Sequence, residues 1–339
     1  MKILVVGDIH AASHNISVRK DDYFKTCKSK LTFVLRKAVE QAVSAIVFTG
    51  DVFHDKEERL ISTKLVHTFY NFMDYCSQYS IKVICVPGNH DMQFHNPDMS
   101  DRNLGLIARA YKGTFYLVNQ TPLVVKSDIS CLFTGSSFIF RGDEGDLHER
   151  SQYFPTVTVE EPFDYHIHVT HGNLIPFSIK SDFEFMPITC TQDLLAAKPV
   201  FDMNINGHIH WPGEDGRVIQ IGNKYSLNPG SLTRGSLKME NIKRKISIYL
   251  VELTDANGEV FPTFTEIEVP CRPAEEIFDV NEYLAEKRKY KEIEMFIEML
   301  KETSLSEESS NANIERLIEE SAADEETKAC AREYIERIS

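Results

Sequence analysis

Ten side chains able to ligate a metal or move a proton fall at five places in this chain of 339 residues. They are Asp8 and His10; Asp51 and His54; Asn89, His90 and Asp91; His171; and His208 and His210. In Asp8-x-His10 and His208-x-His210, alternation along an extended segment puts both side chains on one face, so both can reach one site. Mixed carboxylate and imidazole donors suit Mn²⁺, Fe²⁺ or Zn²⁺ better than Ca²⁺. Asp8, His10, Asp51, Asn89, His171, His208 and His210 are more ligands than one ion takes. A carboxylate such as Asp51 could bridge two ions about 3.5–4 Å apart, and such a pair generates hydroxide and clamps the oxygens of an in-line displacement. Phosphoryl transfer is the natural chemistry. His90 can donate a proton or stabilise an anion, and Asp91 can orient a neighbouring histidine.

Each group follows an apolar run. Residues 3–6, 45–48 and 81–86 read as buried strands that break at Gly7-Asp8, Gly50-Asp51 and Pro87-Gly88. Residues 31–43 and 60–75 carry apolar positions at helical spacing, while 11–30 read as a polar loop over the sheet edge. Shorter helices are predicted over 104–110 and 193–197. Strands are predicted over 115–118, 123–126, 129–135, 163–170, 201–205, 218–222, 245–253 and 260–269. The last two are joined by Asp255-Ala256-Asn257-Gly258, a hairpin turn signal. His166 and His168 lie inside an alternating strand and read as structural. Residues 138–152 read as a polar loop, with Asp143, Glu144 and Asp146 solvated rather than ligating. The pattern is α/β, and two sheets face to face with flanking helices fit it better than one doubly wound sheet.

Hydrophobic residues make up 42% of the chain, enough for a real core. The net charge of −14 argues against non-specific wrapping of nucleic acid, leaving room only for a local basic groove. Lys238, Lys243, Arg244 and Lys245 form one basic cluster, read as solvated surface rather than a phosphate contact. The seven cysteines show no C-x-x-C pairing and read as reduced thiols. With no cleavable leader and no apolar run of membrane length, a cytoplasmic protein is expected. Composition shifts after Pro270, which divides the chain into residues 1–270 and a tail, 271–339. The tail holds 19 Asp and Glu against 10 Lys and Arg. Apolar faces around Phe296 and Ile335 predict two amphipathic helices joined by a polar linker at 304–313, packed on their own core or offered to a partner.

The order Asp8-x-His10, Gly50-Asp51, Gly88-Asn89-His90-Asp91, His171 and Gly207-His208-x-His210 resembles the calcineurin-like metallophosphoesterase superfamily, over residues 3 to about 250. The resemblance implies a four-layer α/β/β/α sandwich. It implies one metal held by Asp8, His10, Asp51 and His210, and a second by Asp51, Asn89, His171 and His208. His90 would assist at the phosphate or protonate the leaving oxygen, with Asp91 behind it. Within that superfamily the match looks closest to the SbcD-type subunit of double-strand-break repair nucleases and to phage recombination nucleases. Gly50-Asp51-Val52-Phe53-His54 resembles their motif with an extra histidine beside the DNA end, so His54 joins His90 and Asp91 as a catalytic candidate. Residues 21–43 resemble their long loop and following helix, and Asn228-Pro229-Gly230-Ser231 the turn after the last metal motif. Such nucleases use Mn²⁺, form homodimers and work beside a coiled-coil ATPase. The resemblance therefore implies DNA as substrate, and an ATPase docking on the helical tail at 281–339. A small-molecule phosphodiesterase or phosphoprotein phosphatase is the alternative. The capping domain usual in those nucleases is absent or much reduced here.

Overall fold

The protein's structure, a computed structural model, describes residues 1–16, 18–57, 60–93, 96–139, 151–156, 159–179, 188–235, 244–279, 318 and 328. The chain divides into two compact units, Met1–Ile277 and Phe278–Ser339. Most of the expected helical tail at 271–339, most of the expected polar loop at 138–152, and Lys238 and Lys243 lie outside the described residues. All ten candidate site residues belong to the first unit.

In chain order its strands are β1 (Lys2–Val6), β2 (Ala45–Phe48), β3 (Lys82–Cys85), β4 (Phe115–Leu117), β5 (Leu123–Val125), β6 (Cys131–Ser136) and β7 (Tyr165–His171). A short pair comes next, β8 (Leu174–Ile175) and β9 (Thr189–Cys190), then β10 (Met203–Gly207), β11 (Val218–Ile221), β12 (Lys224–Leu227), β13 (Ser247–Ala256) and β14 (Glu259–Glu268). The helices are α1 (Tyr23–Glu40), α2 (Thr63–Gln78), α3 (Asn103–Ala110), α4 (Thr191–Ala196) and α5 (Ala274–Ile277). One sheet runs β14-β13-β1-β2-β3-β4 and a second β11-β12-β10-β7-β6-β5.

Period-two alternation builds the layers. On β1, Leu4 and Val6 face the core shared with the helices, while Ile3 and Val5 face the core between the sheets. On β2, Ile46 and Phe48 pack with the helices, and Ala45 and Val47 with the second sheet. The second sheet answers with Phe133, Ile167, Val169, Met203 and Ile205. Its outer face packs Leu194 and Leu195 of α4 beside Phe201. The result is the expected four-layer sandwich. β1 to β4 pair in parallel, as do β6, β7 and β10, so the loops after these strands gather at sheet edges where ligands bind in α/β folds.

Some local expectations are corrected. α1 starts at Tyr23, well before 31, because Asp22 caps it by accepting from the Lys25 N–H at 3.0 Å. Its polar positions in the stretch expected to be loop sit on a helix whose inner face is Tyr23, Phe24 and Cys27. The sequence pattern gives no sign of β8, β9 or β12: the first two are two residues long, and β12 is only four. The β13–β14 hairpin closes through Asn257 and Gly258, with φ of 61° and 84°, the left-handed pair that a two-residue turn of this type requires. Arg244 is buried rather than solvated. Its guanidinium donates to the Ser231 and Thr233 carbonyls at 2.7 and 2.6 Å and to the Ser231 hydroxyl at 2.6 Å.

Candidate metal centre

The loops after β1 and β2 lie against one another. His10 N donates to the Asp51 carbonyl at 2.8 Å, Ala11 N to that of Val52 at 2.9 Å, and His54 N to that of Ala11 at 3.1 Å. Three site residues hold left-handed backbone: His10 at φ 48°, Asp51 at 46° and His208 at 81°. Such conformations cost on the order of 1–3 kcal/mol each and persist where the surroundings over-determine them. Gly88 is required by space: a Cβ there would stand 2.1 Å from Asp51 Oδ1. The Asn228-Pro229-Gly230-Ser231 turn braces the last motif, with Asn228 Nδ2 donating to the Ile209 carbonyl at 3.2 Å and Ser231 N to that of His210 at 3.2 Å.

Two donor sets result. In the first, His10 Nε2 and His210 Nε2 are 2.9 Å apart, with Asp51 Oδ2 at 3.4 Å from the one and Asp8 Oδ2 at 3.5 Å from the other. In the second, Asn89 Oδ1 lies 3.2 Å from His171 Nε2 and 3.0 Å from His208 Nδ1. The two sets share an atom: Asp51 Oδ2 is 3.4 Å from both His10 Nε2 and His171 Nε2. Spacings of about 3–4 Å are those of donors about 2.1 Å from a common ion. All seven metal candidates are thus brought together, in two groups joined by Asp51.

The protonation states fit divalent ions. Burial lowers His10, His210 and, down to about 3, His208, so their rings present lone pairs. Burial opposes charge on Asp51, yet His171 and His10 hold its carboxyl well below the usual range. Burial also opposes protonation of His171, but Asp51 and Asp8 outweigh it and raise the ring to about 9. Positive charge is what this pocket lacks. His171 Nδ1 donates to the Thr49 carbonyl at 2.8 Å, which leaves Nε2 to face Asp51 and Asn89. The Thr49 hydroxyl donates to Asp8 Oδ1 at 2.7 Å, and His208 N to Asp8 Oδ2 at 2.9 Å.

His90 lies at the rim. Its Nδ1 donates to the His54 carbonyl at 2.6 Å, freeing Nε2, and its N–H donates to Asp51 Oδ1 at 2.7 Å. The His54 ring stacks on His90 with centroids 5.4 Å apart, and one nitrogen from each of His10, His54 and His90 falls in a common cluster. Asp91 is corrected. Its carboxylate accepts from the backbone N–H groups of Val52, Phe53 and Gly88 at 3.2, 3.0 and 3.0 Å, so it ties the β2 and β3 loops together instead of orienting His90. Sequence reasoning missed Thr49 and Phe138. Thr49 has only its place before Gly50-Asp51 to mark it. Phe138 packs its ring 4.7 Å from that of His208, brought there by the end of β6.

The sequence matches the calcineurin-like phosphoesterase family over residues 1–212. The chain belongs to the calcineurin-like phosphoesterase family. A curated relative, the uncharacterized protein R555 of Acanthamoeba polyphaga mimivirus, is 29% identical over 114 residues, 33% of this chain. The chain covers only 8% of that relative's length. Among solved structures, TT1561 of Thermus thermophilus aligns with 73% of this chain and 92% of its own at 12% identity and a TM-score of 0.42. A putative 5'-nucleotidase from Staphylococcus aureus in complex with alpha-ketoglutarate aligns over 84% and 57% at 13% identity, TM-score 0.48. A dimetal phosphatase from Danio rerio aligns over 74% and 94% at 14% identity, TM-score 0.42. The two donor sets joined by Asp51 offer this family member ligands for two metal ions.

Proposed function

We propose that this phosphoesterase cleaves phosphodiesters, with a DNA strand as substrate and Mn²⁺ in both positions. The observation that carries the reading is the His54–His90 pair beside the donor sets. An alkoxide is a poor leaving group, so a diester needs a proton at the departing oxygen. His90, fixed through Nδ1, holds Nε2 free for that proton, and His54 adds a second ring edge for the other ester arm. When bound, two ions supply charge to the phosphoryl oxygens and an activated water. Asp51 keeps both positions in one frame, and Asn89 offers a neutral oxygen that adds no further negative charge. Roles for a coiled-coil ATPase at residues 281–339 and for a homodimer belong to the same proposal.

A second reading, a small phosphate ester or phosphoprotein as substrate, is favoured by the acidity of the chain, which repels long polyanions. The test is Mn²⁺-dependent hydrolysis of linear duplex, hairpin and single-stranded DNA beside bis-p-nitrophenyl phosphate, p-nitrophenyl phosphate and mononucleotides. Cleavage of DNA together with the bis-ester supports the first reading. Turnover of monoesters or mononucleotides without any cut in DNA, alone or with an ATPase partner, establishes the second.

A further inference from the structure

A pocket of about 830 Å³ opens between the start of α1 and the segment at 270–277. None of the described residues lining it is among the ten site positions. In an acidic protein its charge is inverted. Arg19, Lys25, Lys30, Arg234 and Arg272 line it, against only Asp21 and Asp22. Both carboxylates are already engaged. Asp21 takes Arg19 Nε and Nη2 at 2.9 and 2.8 Å, the Thr26 hydroxyl at 2.7 Å and Arg272 at 3.3 Å. Asp22 caps α1 and meets Lys25 Nζ at 3.0 Å.

Among the described residues, two of these cations have no carboxylate within ion-pair distance. Arg234 gives its terminal nitrogens to Cys271 Sγ and to the carbonyls of Arg272 and Arg244, and its Nε is buried with no partner. Lys30 is 4% exposed, and its Nζ is also buried with no partner. Burial pushes that amine down to about 8, so it still carries its charge at neutral pH. A buried cation with nothing to hold is costly unless an anion completes it. The back wall reaches the metal centre: Arg19 Nη1 donates to the Arg234 carbonyl at 2.6 Å, and the Tyr23 hydroxyl beneath it donates to the His10 carbonyl at 2.9 Å.

We propose that this pocket is a second oxyanion site that takes a phosphate group, with Lys30 and Arg234 supplying the counter-charge. The phosphate is either a small free anion or one link of a nucleic-acid strand that also reaches the metal centre. Guanidinium and ammonium charges on one wall of a pocket together suit a phosphate anion. The free-anion source stands apart from the choice of hydrolytic substrate, since no metal-ligand candidate is among the described residues lining the pocket, whereas the strand source rests on the DNA reading.

The test is calorimetric titration of the full-length chain with inorganic phosphate, a 5′-mononucleotide and a single-stranded oligonucleotide. Wild type, Lys30→Met and Arg272→Ala are compared, with metal content measured alongside. Lys30→Met is expected to weaken binding about tenfold or more, and Arg272→Ala by less, with both ions still bound. If the small anions lose affinity, the site takes free phosphate. If the oligonucleotide alone loses it, with a salt slope reduced by about 1, the site holds a strand phosphate. Should Lys30→Met fail to fold, Arg272→Ala carries the comparison. Equal affinity for all three probes in both variants, or no saturable binding to wild type, overturns the proposal.

Discussion

Strand β7 carries two kinds of histidine. His166 and His168 share the face turned from the inter-sheet core, whereas His171, an odd number of residues on, ends the strand on the other face. The first two are satisfied in series. His168 Nε2 donates to the Gln152 carbonyl at 2.8 Å, so its Nδ1 accepts from the Thr134 hydroxyl at 2.8 Å, which in turn accepts from His166 Nε2 at 2.8 Å. His168 also stacks on Phe201 with centroids 5.7 Å apart. His171 instead has one nitrogen fixed and the other aimed at Asp51 and Asn89. One residue type on one strand thus meets different surroundings according to face and end. What marks His171 as the ligand candidate is a nitrogen pointed at other acceptors, a geometry that a cation between them would stabilise.

The strongest way to break that contrast is Asp51→Asn, because Asp51 Oδ2 faces both donor sets. Removing even a group one step away from an ion costs up to about 100-fold in affinity or activity. Asp51→Asn should exceed that and empty both positions, as equilibrium dialysis with Mn²⁺ would read. His168→Gln should leave stoichiometry at two, and loss of an ion in that variant would end the distinction. His90→Ala comes next. It should lower kcat about 10²–10⁴-fold with both ions retained, since neither of the two clusters that contain Asp51 includes His90. A fall in metal content there would make His90 a ligand instead of a proton donor.

The strand ends were legible because each motif follows an apolar run of even register, and the fold's two sheets followed from the number of such runs. Asp8, Asp51 and His171 could be placed from sequence for that reason. Asp91 could not, because its partners are backbone N–H groups that no residue type announces. Thr49 and Phe138 act through a carbonyl, a hydroxyl and a ring face, which carry no spacing signature. Arg244 reads as a surface cation beside Lys243 and Lys245, yet the three carbonyl and hydroxyl acceptors of the 231–233 turn draw it inside.

A gentler contrast lies in pH. In the metal-free chain His171 sits at about 9, above the roughly 6.5 of an unfolded histidine. Its contribution to stability is present below about 6.5 and lost as pH rises towards 9. His166 and His168 are held by burial at about 4. Their contribution is present above about 6.5 and lost as pH falls towards 4. Urea midpoints measured across this range should therefore change slope with His171→Gln on the alkaline side and with His168→Gln on the acid side. Loaded with Mn²⁺, the chain should lose the alkaline limb, because binding displaces the His171 proton. An alkaline limb that persists with metal would remove His171 from the donor set.

The smallest effect expected is that of Thr134→Val, which deletes the hydroxyl between His166 and His168 without a change in size. Thr134 is buried, so no water replaces it, and His168 Nδ1 and the His166 Nε2–H both lose their partner. A buried polar group left unpaired costs about 1–3 kcal/mol, and two in one chain need not add. Stability should fall by about that amount in urea titration, with kcat and the Mn²⁺ stoichiometry unchanged. The separation follows from the strand itself: alternation turns His168 and His171 to opposite faces, so a loss on one face reaches the other only through the backbone they share. A drop in metal affinity in Thr134→Val would mean that the hydroxyl-linked pair sets the position of His171, and that the two kinds of histidine are one unit.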